Sequence, residues 1–465
     1  MRYKRGTLLT ILIGTMAAGC NLNPKVREQI KNRRESSYKD WLASREGKSE
    51  QRPLLKGNLS LEDAIRTALL HSRDIEIAMA EREKAEGQIT EAWARALPVV
   101  NLTGTYTGVD ALPPGSRHNY ALGATVSQPV FRGGAVGAGI RAAKIYGALA
   151  EEELRRTVQD VIYDVRKGYY DVLLLQQLEI ASADAVKVAR AHLDEVKKRK
   201  DQGVATAYDV LRAEVELANL VAQNIQDANR LGLARSSLLN VLGVAQESQV
   251  TLTDKLEYRK IEPDVEATVR AAFMDHPRLL AAEMSVCLQR EAVKAARAGY
   301  LPDADAAGQV SVAKPDPQTP ALIRWGNAWR TILSVTYPLF DGFATKGRVK
   351  QELAQLKQAT VTLRETEEQI LLAIDQAIRN LDDAARFFES QQANVDSATE
   401  ALRLVDAGFR EGVNTELEVL DARRALIQAK ANHARSIYDY MVATLALERA
   451  SGALKPPAGS GPAAK

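Results

Sequence analysis

The side chains that could carry out catalysis are few and widely scattered. No two of the five histidines have a spacing typical of metal ligands, and they are His71, His118, His192, His276 and His433. The motif Gly137-Ala-Gly139-Ile-Arg-Ala142 follows a predicted strand and opens a predicted helix, as a dinucleotide-binding turn does. However, no second parallel strand follows within about 30 residues, and the related stretch from Asp341 lacks the motif. We therefore predict that the protein is not an enzyme and binds no dissociable cofactor or metal.

The N-terminal segment combines a secretory signal with one cysteine that could be acylated. Basic residues at positions 2, 4 and 5 precede a short apolar stretch, and Ala17-Ala18-Gly19 leads directly into Cys20. This arrangement resembles a bacterial lipoprotein signal, in which residues 1–19 are removed and the Cys20 thiol is diacylated. Asn21 is not the Asp that retains many such lipoproteins at the inner membrane, so we expect the outer membrane as the destination. Residues 20–58 are predicted to form an extended linker that carries the lipidated cysteine.

The composition excludes several broad classes of protein. The chain has 465 residues and a net charge of +3, with 26% charged and 46% hydrophobic residues. It is too apolar to be disordered, and its balanced charge gives no reason to expect nucleic acid as a partner. Proline is absent from Val130 to Glu262 and from Leu339 to Lys455, and both stretches are rich in good helix formers. They predict long helices, whereas no apolar run reaches the roughly 20 residues of a transmembrane helix.

The second half of the chain repeats the first. Gly203-Val-Ala-Thr206 and Gly412-Val-Asn-Thr415 lie 209 positions apart, and seven of the fifteen residues from 203 to 217 are identical at that offset. We predict a first repeat at residues 59–243, an inter-repeat linker at 244–262, a second repeat at 263–452 and a disordered tail at 453–465. A unit of roughly 200 residues is too long for a solenoid repeat.

Each repeat is predicted to contain a helix, two strands, a long helix, a turn and another helix. In the first repeat the helices cover Leu61–Ala96, about Ala135–Lys200 and Tyr208–Leu242, and in the second the long helix ends near Gly408. Helices of ~65 residues would span ~100 Å. Polar and apolar residues alternate along the four predicted strands, whose ~10–12 residues suffice to cross a bilayer when tilted.

Four strands cannot close a membrane barrel alone, because the smallest single-chain barrels have eight and open edges are not tolerated in lipid. Two copies of the chain would supply eight strands, and three would supply twelve. The long helices would then form a tube below the barrel. A 3–4 spacing on the second long helix fits the seam between such helices, although an ordinary bundle core has the same pattern. The residues with this spacing are Leu371, Ile374, Ile378, Leu381, Ala385 and Phe388.

The chain resembles the bacterial outer-membrane efflux proteins, the TolC-like family, and specifically its lipoprotein branch. The resemblance rests on the duplicated tips Asp201-Gln-Gly-Val-Ala-Thr-Ala-Tyr-Asp-Val-Leu and Glu411-Gly-Val-Asn-Thr-Glu-Leu-Glu-Val-Leu-Asp-Ala, and on the junctions Gln128-Pro-Val-Phe and Tyr337-Pro-Leu-Phe-Asp-Gly. It implies a mainly α fold with membrane β structure: a periplasmic α-barrel of long helices below a trimeric 12-stranded outer-membrane β-barrel, with four strands from each chain. It also implies a homotrimer that contacts outer-membrane lipid and whose tips dock onto a periplasmic adaptor, or membrane-fusion, protein joined to an inner-membrane pump.

The resemblance assigns roles to residues around the two turns. The adaptor-contacting tips would include Gly203, Val204 and Thr206 in the first repeat and their counterparts Gly412, Val413 and Thr415 in the second. Carboxylates at the positions of Glu418 and Asp421 would line the periplasmic constriction, with Asp209 as the repeat equivalent of Glu418. A trimer would give each position a ring of three acids, which favours cations. The alternative is that these acids only stabilise helix N-termini. Asn414 stands where some members carry a basic latch residue, so a charge-based lock at that position is not expected.

Several functions remain compatible with these features. We favour the outer-membrane exit duct of a tripartite efflux system that passively conducts small molecules. A type I protein-secretion duct would have the same fold, and a pore-free periplasmic adaptor or structural coiled-coil lipoprotein is the remaining alternative.

Among single side chains, Trp325, Trp329 and Tyr337 suit the aromatic girdle of a barrel or simple strand packing. Cys287 is predicted to be a buried small hydrophobe.

Overall fold

The computed structural model describes residues 24–45, 53–108, 117–411 and 413–457. The signal peptide, the predicted lipidation site Cys20, the tip residue Gly412 and the tail beyond residue 457 lie outside the described residues. Nine α-helices occur within the described ranges, and in chain order they are α1 Pro24–Arg45, α2 Leu61–His71, α3 Arg73–Ala94, α4 Ala135–Asp201, α5 Ala207–Val241, α6 Val265–Asp275, α7 Pro277–Arg297, α8 Ala344–Arg410 and α9 Glu416–Ala450. None of these helices combines the length and the apolar character that a membrane span requires.

Six strands lie between these helices within the same ranges, and they are β1 Lys56–Leu59, β2 Val99–Gly108, β3 His118–Arg132, β4 Gln249–Leu252, β5 Asp303–Lys314 and β6 Gly326–Thr336. The long strands form an antiparallel sheet in the order β2-β3-β5-β6, so the hairpin of each repeat joins the other through β3 and β5. The short strands β1 and β4 pair in parallel as a separate sheet.

The long helices agree with their predicted bounds to within one or two residues. Both α4 and α8 contain 67 residues, and α5 and α9 contain 35 each. At 1.5 Å per residue the longer pair extends ~100 Å. Each long helix folds back onto a shorter one, so the chain has two long helical hairpins, which we call hairpin 1 (α4 and α5) and hairpin 2 (α8 and α9).

The predicted single helix Leu61–Ala96 is wrong, because the chain breaks into α2 and α3 at Ser72, whose backbone is extended with φ −68° and ψ 127°. The second repeat has the same break at His276, where Pro277 disfavours a helical residue before it. A glycine turn packs against each break: a Cβ on Gly243 would lie 2.3 Å from the carbonyl oxygen of His71, and one on Gly452 would lie 3.2 Å from the His276 Cα.

The segment predicted as an extended linker also differs, because it contains the helix α1. This segment is rich in Lys, Arg, Glu and Gln, which favour helix formation without an apolar face. Its side chains from Glu28 to Lys39 are exposed, and Lys39 pairs with Glu35 one turn away at 3.3 Å. Strand β1 lies at the end of this segment and pairs with β4, which lies within the predicted inter-repeat linker.

The main core surrounds the middle of α4, where the two repeats meet. Tyr169 is fully buried there, and its hydroxyl donates to the carbonyl oxygen of Leu59 at 2.9 Å and to Asp254 at 2.6 Å. Leu454 joins the same core with 2% exposure, so the predicted disordered tail is ordered at its start. Cys287 lies on the exposed side of α7, and the prediction that it is buried is wrong.

Candidate pore constriction at the helical tips

The turn of hairpin 1 reverses the chain through a left-handed glycine. Gly203 has φ +79°, which L-residues with side chains rarely adopt. The amide of Gly203 donates to the carbonyl of Lys200 at 2.8 Å, and the amide of Val204 donates to that of Arg199 at 2.9 Å. These two bonds form a Schellman motif that satisfies the last carbonyls of α4. In hairpin 2 the amide of Val413 makes the equivalent bond to Gly408 at 2.8 Å.

Each returning helix begins with a reciprocal capping box. Thr206 accepts from the Asp209 amide, and the Asp209 carboxylate accepts from the Thr206 amide and hydroxyl, both at 2.7 Å. Thr415 and Glu418 repeat the arrangement, with the Glu418 carboxylate 2.6 Å from the Thr415 amide and 3.0 Å from its hydroxyl. The hydrogen bonds from the Thr206 side chain and backbone lower the pKa of Asp209. Both acids therefore stabilise helix N-termini, as the structural alternative predicted.

Asp421 lies one turn beyond Glu418 on the same exposed side of α9. Its carboxylate is 60% exposed and lies 3.7 Å from Arg424 Nη1. Unlike Glu418, it has no capping bond. The two acids are thus brought together on one face, whereas no hydrogen bond or ion pair among the described residues joins either of them to Asp209.

An ion pair close to Asp421 connects the two hairpins. The guanidinium of Arg424 on α9 makes a two-pronged contact with Glu216 on α5, with Nε 2.9 Å from Oε1 and Nη2 against Oε2. Glu216 is only 13% exposed, and the hydrogen bond from Arg424 is the main cause of its lowered pKa. We call this contact the hairpin brace.

A second contact between the hairpins lies nearer the turns. His192 on α4 is 10% exposed, and its Nε2 lies 2.9 Å from Oε1 of Glu416, the first residue of α9. Between the hairpins lies a groove of about 620 Å³ with mostly apolar walls, and His192, Glu216 and Arg424 are among the residues that line it.

The tip residues present an apolar surface to water. Val204 is 67% exposed and Val413 is 78% exposed, and the side chains of Thr206 and Thr415 are exposed beside them. Asn414 donates from Nδ2 to the carbonyl of Val405 at 3.2 Å, so its amide is used within its own turn. The described tip residues are therefore accessible to a partner, and their role as adaptor contacts stays a prediction.

The opposite end of the molecule is the four-stranded sheet, and its two faces differ. One face carries Leu102, Val310 and Trp329, which are 74%, 58% and 79% exposed, while the other is mainly Thr, Ser, Asn and Gln. Aromatic rings gather at one end, where Tyr120 lies 5.2 Å from Tyr106 and 6.2 Å from Trp325 between ring centres. The other end carries Tyr337, Phe340 and Phe343, all exposed. Two aromatic bands flanking an apolar wall are typical of a membrane strand set, although Trp329 lies in mid-strand opposite Val310.

The sequence profile of the family described as outer membrane efflux protein matches residues 64–244 and 269–453, which is most of the chain. The chain belongs to this family. It is 25% identical over 382 residues to the outer membrane protein TolC of Vibrio cholerae, covering 81% of this chain and 86% of that protein. It is 22% identical over 411 residues to the alkaline protease secretion protein AprF of Pseudomonas aeruginosa, covering 85% of each. The crystal structure of the Campylobacter jejuni CmeC outer membrane channel has the same fold, with a TM-score of 0.77 at 16% identity over 86% of this chain and 87% of that one.

Membership confirms the predicted fold class, in which long helices form an α-barrel below a β-barrel to which each chain supplies four strands. This protein is an outer-membrane channel and not an enzyme, as predicted. The repeat boundaries, the tip residues and the constriction acids stay predictions.

Sequence reasoning missed the hairpin brace. The repeat offset of 209 takes Arg424 to Val215 and Glu216 to Ala425, so neither partner has a charged counterpart that would have drawn attention to it. The contact depends on how hairpin 2 docks against hairpin 1, chiefly through α4 and α9, and local patterns do not reveal that docking.

Proposed function

We propose that three copies of this chain form the exit duct of a tripartite efflux system, which passively conducts small molecules handed over by an inner-membrane pump. The observation that carries this proposal is the four-stranded sheet with an apolar outer face. Within the described residues, the outer edges of β2 and β6 pair with no strand. Unpaired edges are not tolerated in lipid, and three such sheets joined edge to edge give a closed barrel of twelve strands.

The duct is tested with the purified full-length protein. We expect a trimer band on gels that dissociates on heating, recovery from the outer-membrane fraction and single-channel conductance in planar bilayers. A monomer that stays in the soluble fraction would contradict the proposal and favour the pore-free adaptor or coiled-coil lipoprotein.

We further propose that the tips dock onto a periplasmic adaptor protein. Large apolar side chains exposed at a hairpin end are unfavourable in water unless a partner covers them, and both Val204 and Val413 are more than two-thirds exposed. Val204→Glu combined with Val413→Glu should abolish co-purification with the adaptor. Val361→Glu is the matched control, because Val361 is 53% exposed on α8 outside the tips. Equal loss in the control would remove the support for tip docking.

The constriction is proposed to lie at Glu418 and Asp421, with Asp209 nearby on the other hairpin. In a trimer the exposed carboxylates of Glu418 and Asp421 would give two acidic rings one helical turn apart, and such rings favour cations. Glu418→Gln with Asp421→Asn should lower the cation preference of the single channel. Unchanged selectivity would leave Glu418 with its capping role alone.

The outer-membrane location is proposed to include a lipid anchor at Cys20. Incorporation of labelled palmitate into the wild type and its loss in Cys20→Ala would support this anchor, and labelling that persists in Cys20→Ala would overturn it. Channel formation does not depend on the anchor in this proposal, so Cys20→Ala should still form trimers.

The relatives of this chain are named for two kinds of cargo, because some are called efflux proteins and others secretion proteins. AprF is named for protease secretion, so a type I protein-secretion duct is the second candidate. Deleting the gene should raise sensitivity to small toxic compounds and leave the set of secreted proteins unchanged. Loss of one secreted protein without a change in sensitivity would favour the secretion duct.

A further inference from the structure

At one level of the four-stranded sheet, the four side chains that lie opposite one another across the strands are all polar. The register pairs Asn101 of β2 with Thr125 of β3, Thr125 with Gln309 of β5, and Gln309 with Arg330 of β6. The neighbouring level on the opposite face is apolar across the same strands, and consists of Leu102, Ala124, Val310 and Trp329. Since side chains alternate between the faces of a strand, Arg330 and Trp329 point in opposite directions.

The apolar level fixes which face meets lipid. Trp329 and Leu102 are the most exposed large side chains of the sheet at this level, with 79% and 74% exposure. A membrane barrel places its apolar side chains outward and its polar side chains inward. Arg330 therefore faces the lumen, at a level four residues along β5 from Asp305, or ~13 Å at the rise of a strand.

Arg330 is held in place without being neutralised. Its Nε donates to Oε1 of Gln309 across the strand pair at 2.7 Å. Among the described residues, neither terminal nitrogen of Arg330 has a hydrogen-bond partner and no carboxylate pairs with it. The hydrogen bond to Gln309 fixes the direction of the side chain while four of its five N–H donors stay available.

The other charges on the lumen face are paired at the end of the sheet nearest the helices. Arg132 lies 2.7 Å from Asp305 and 3.5 Å from Asp303. That cluster has two acids and one base, so its charges largely cancel. Within the four strands as described, Arg330 is the single lumen-facing cation without an acidic partner.

We propose that Arg330 forms a ring of three guanidinium groups in the barrel lumen that favours anions and binds the carboxylate or phosphate groups of anionic small molecules in transit. The proposal rests on the three-copy barrel proposed above. A ring of one sign of charge raises the local concentration of the opposite ion, and a guanidinium binds carboxylate or phosphate through two parallel hydrogen bonds. The duct then has two charge filters of opposite sign, the acids at the tips and Arg330 in the barrel.

The two filters are far enough apart to be tested separately. The helix α8 contains 67 residues and separates the barrel from the tips by ~100 Å. Charges separated by more than about 10 Å are screened from one another at 0.1 M salt. Substituting Arg330 should therefore change the barrel filter without changing the tip filter.

The test measures reversal potentials in planar bilayers across gradients of KCl and of potassium acetate at low salt. All variants carry Glu418→Gln and Asp421→Asn, so that the acids at the tips do not mask the ion selectivity of the barrel. We expect Arg330→Gln to raise the permeability ratio of potassium to chloride about two- to threefold, and Arg330→Glu to raise it further. Thr125→Ala is the matched control on the same level, because it removes a neutral polar side chain two strands away from Arg330 and should stay near the parent ratio.

Chemical modification checks the direction of the side chain. Arg330→Cys is made in a chain whose Cys287 is replaced by Ser, and any labelling of that parent chain is subtracted as background. On Arg330→Cys, a cationic membrane-impermeant thiosulfonate should restore the parent permeability ratio of potassium to chloride, and an anionic one should raise it. Trp329→Cys should react with neither reagent, because residue 329 faces lipid. If the channel conducts but its permeability ratio of potassium to chloride does not change with the residue at position 330, the ring is overturned. The duct is not overturned by that result. Absence of conductance in the wild type would overturn the duct itself, and the ring with it.

Discussion

Removing the hairpin brace should loosen the tip of each protomer. Glu216 on α5 and Arg424 on α9 belong to different hairpins, so their contact resists separation of the two. Because Arg424 lowers the pKa of Glu216, the carboxylate stays ionised at neutral pH. A depressed folded-state pKa means that the stabilisation is present above the ordinary range of a glutamate. It is lost only as the pH falls through the lowered value.

The free energy that the brace contributes is estimated from how exposed its two side chains are. Arg424 is 50% exposed and Glu216 is 13% exposed, so solvent screening keeps each pair at roughly 0.5–1 kcal/mol. Three copies in a trimer would together contribute about 1.5–3 kcal/mol, which corresponds to a shift of about 10- to 150-fold between closed and loosened tips. Glu216→Gln is the sharper variant, because it keeps the shape of the side chain and leaves Arg424, Glu418 and Asp421 in place.

The assay is open probability in planar bilayers, combined with hydrogen exchange of the first turns of α9. We expect more frequent opening and faster exchange in Glu216→Gln, and recovery when Glu216→Arg is combined with Arg424→Glu. Arg379→Leu is the control, because Arg379 pairs with Asp375 within α8 alone and joins no hairpins. Equal effects in the control, or no recovery in the charge swap, would refute the idea that the brace holds the tip.

Four further substitutions probe the fold that carries the tips. Thr415→Ala removes a capping box and should destabilise α9 by about 1 kcal/mol, visible as faster hydrogen exchange confined to its first turn. Burial and a hydrogen bond to Asp254 raise the pKa of Tyr169 to about 12. Its contribution is therefore complete below about pH 10 and lost as the pH rises toward 12; Tyr169→Phe should cost about 1–3 kcal/mol in urea unfolding at pH 7 and remove that alkaline loss. Gly243→Ala should lower the melting temperature, because φ is +71° and the new Cβ would meet a carbonyl oxygen at 2.3 Å. Gly232→Ala, which meets nothing within 4 Å inside α5, should raise it, and the reverse order would contradict the backbone argument.

The sequence was sufficient for elements whose signal is local. Proline placement and helix propensity located α4 and α5 to within two residues, because nothing in those stretches competes with helix formation. The break at Ser72 was missed because Ser is tolerated inside a helix. Its repeat counterpart His276 precedes a proline, so the signal was present in the other half of the chain.

Contacts between elements were not predictable in the same way. Predicting the hairpin brace requires knowing how hairpin 2 docks against hairpin 1, and its partners have no charged equivalents in the repeat. The polar level that ends at Arg330 likewise depends on strand register, because a shift by one residue would turn every side chain to the other face. Alternation along one strand predicts a polar face without saying which residues of four strands share a level.

Comparison of the two repeats distinguishes the structural role of the tip acids from their proposed role in the pore. Asp209 and Glu418 are equivalent in the repeat, and each closes the same capping box with its threonine. That shared role explains the acid in both halves without any pore. The position one turn later does differ between the halves: it is Arg212 in the first and Asp421 in the second. Arg212 acts on Asp209 and helps to lower its pKa, whereas Asp421 is exposed and has no capping bond. The negative charge that helix capping does not explain is therefore at Asp421, which makes a 3.7 Å ion pair with Arg424. If the tip filters cations, Asp421→Asn alone should account for most of the loss of selectivity, and Glu418→Gln should act mainly on the stability of α9.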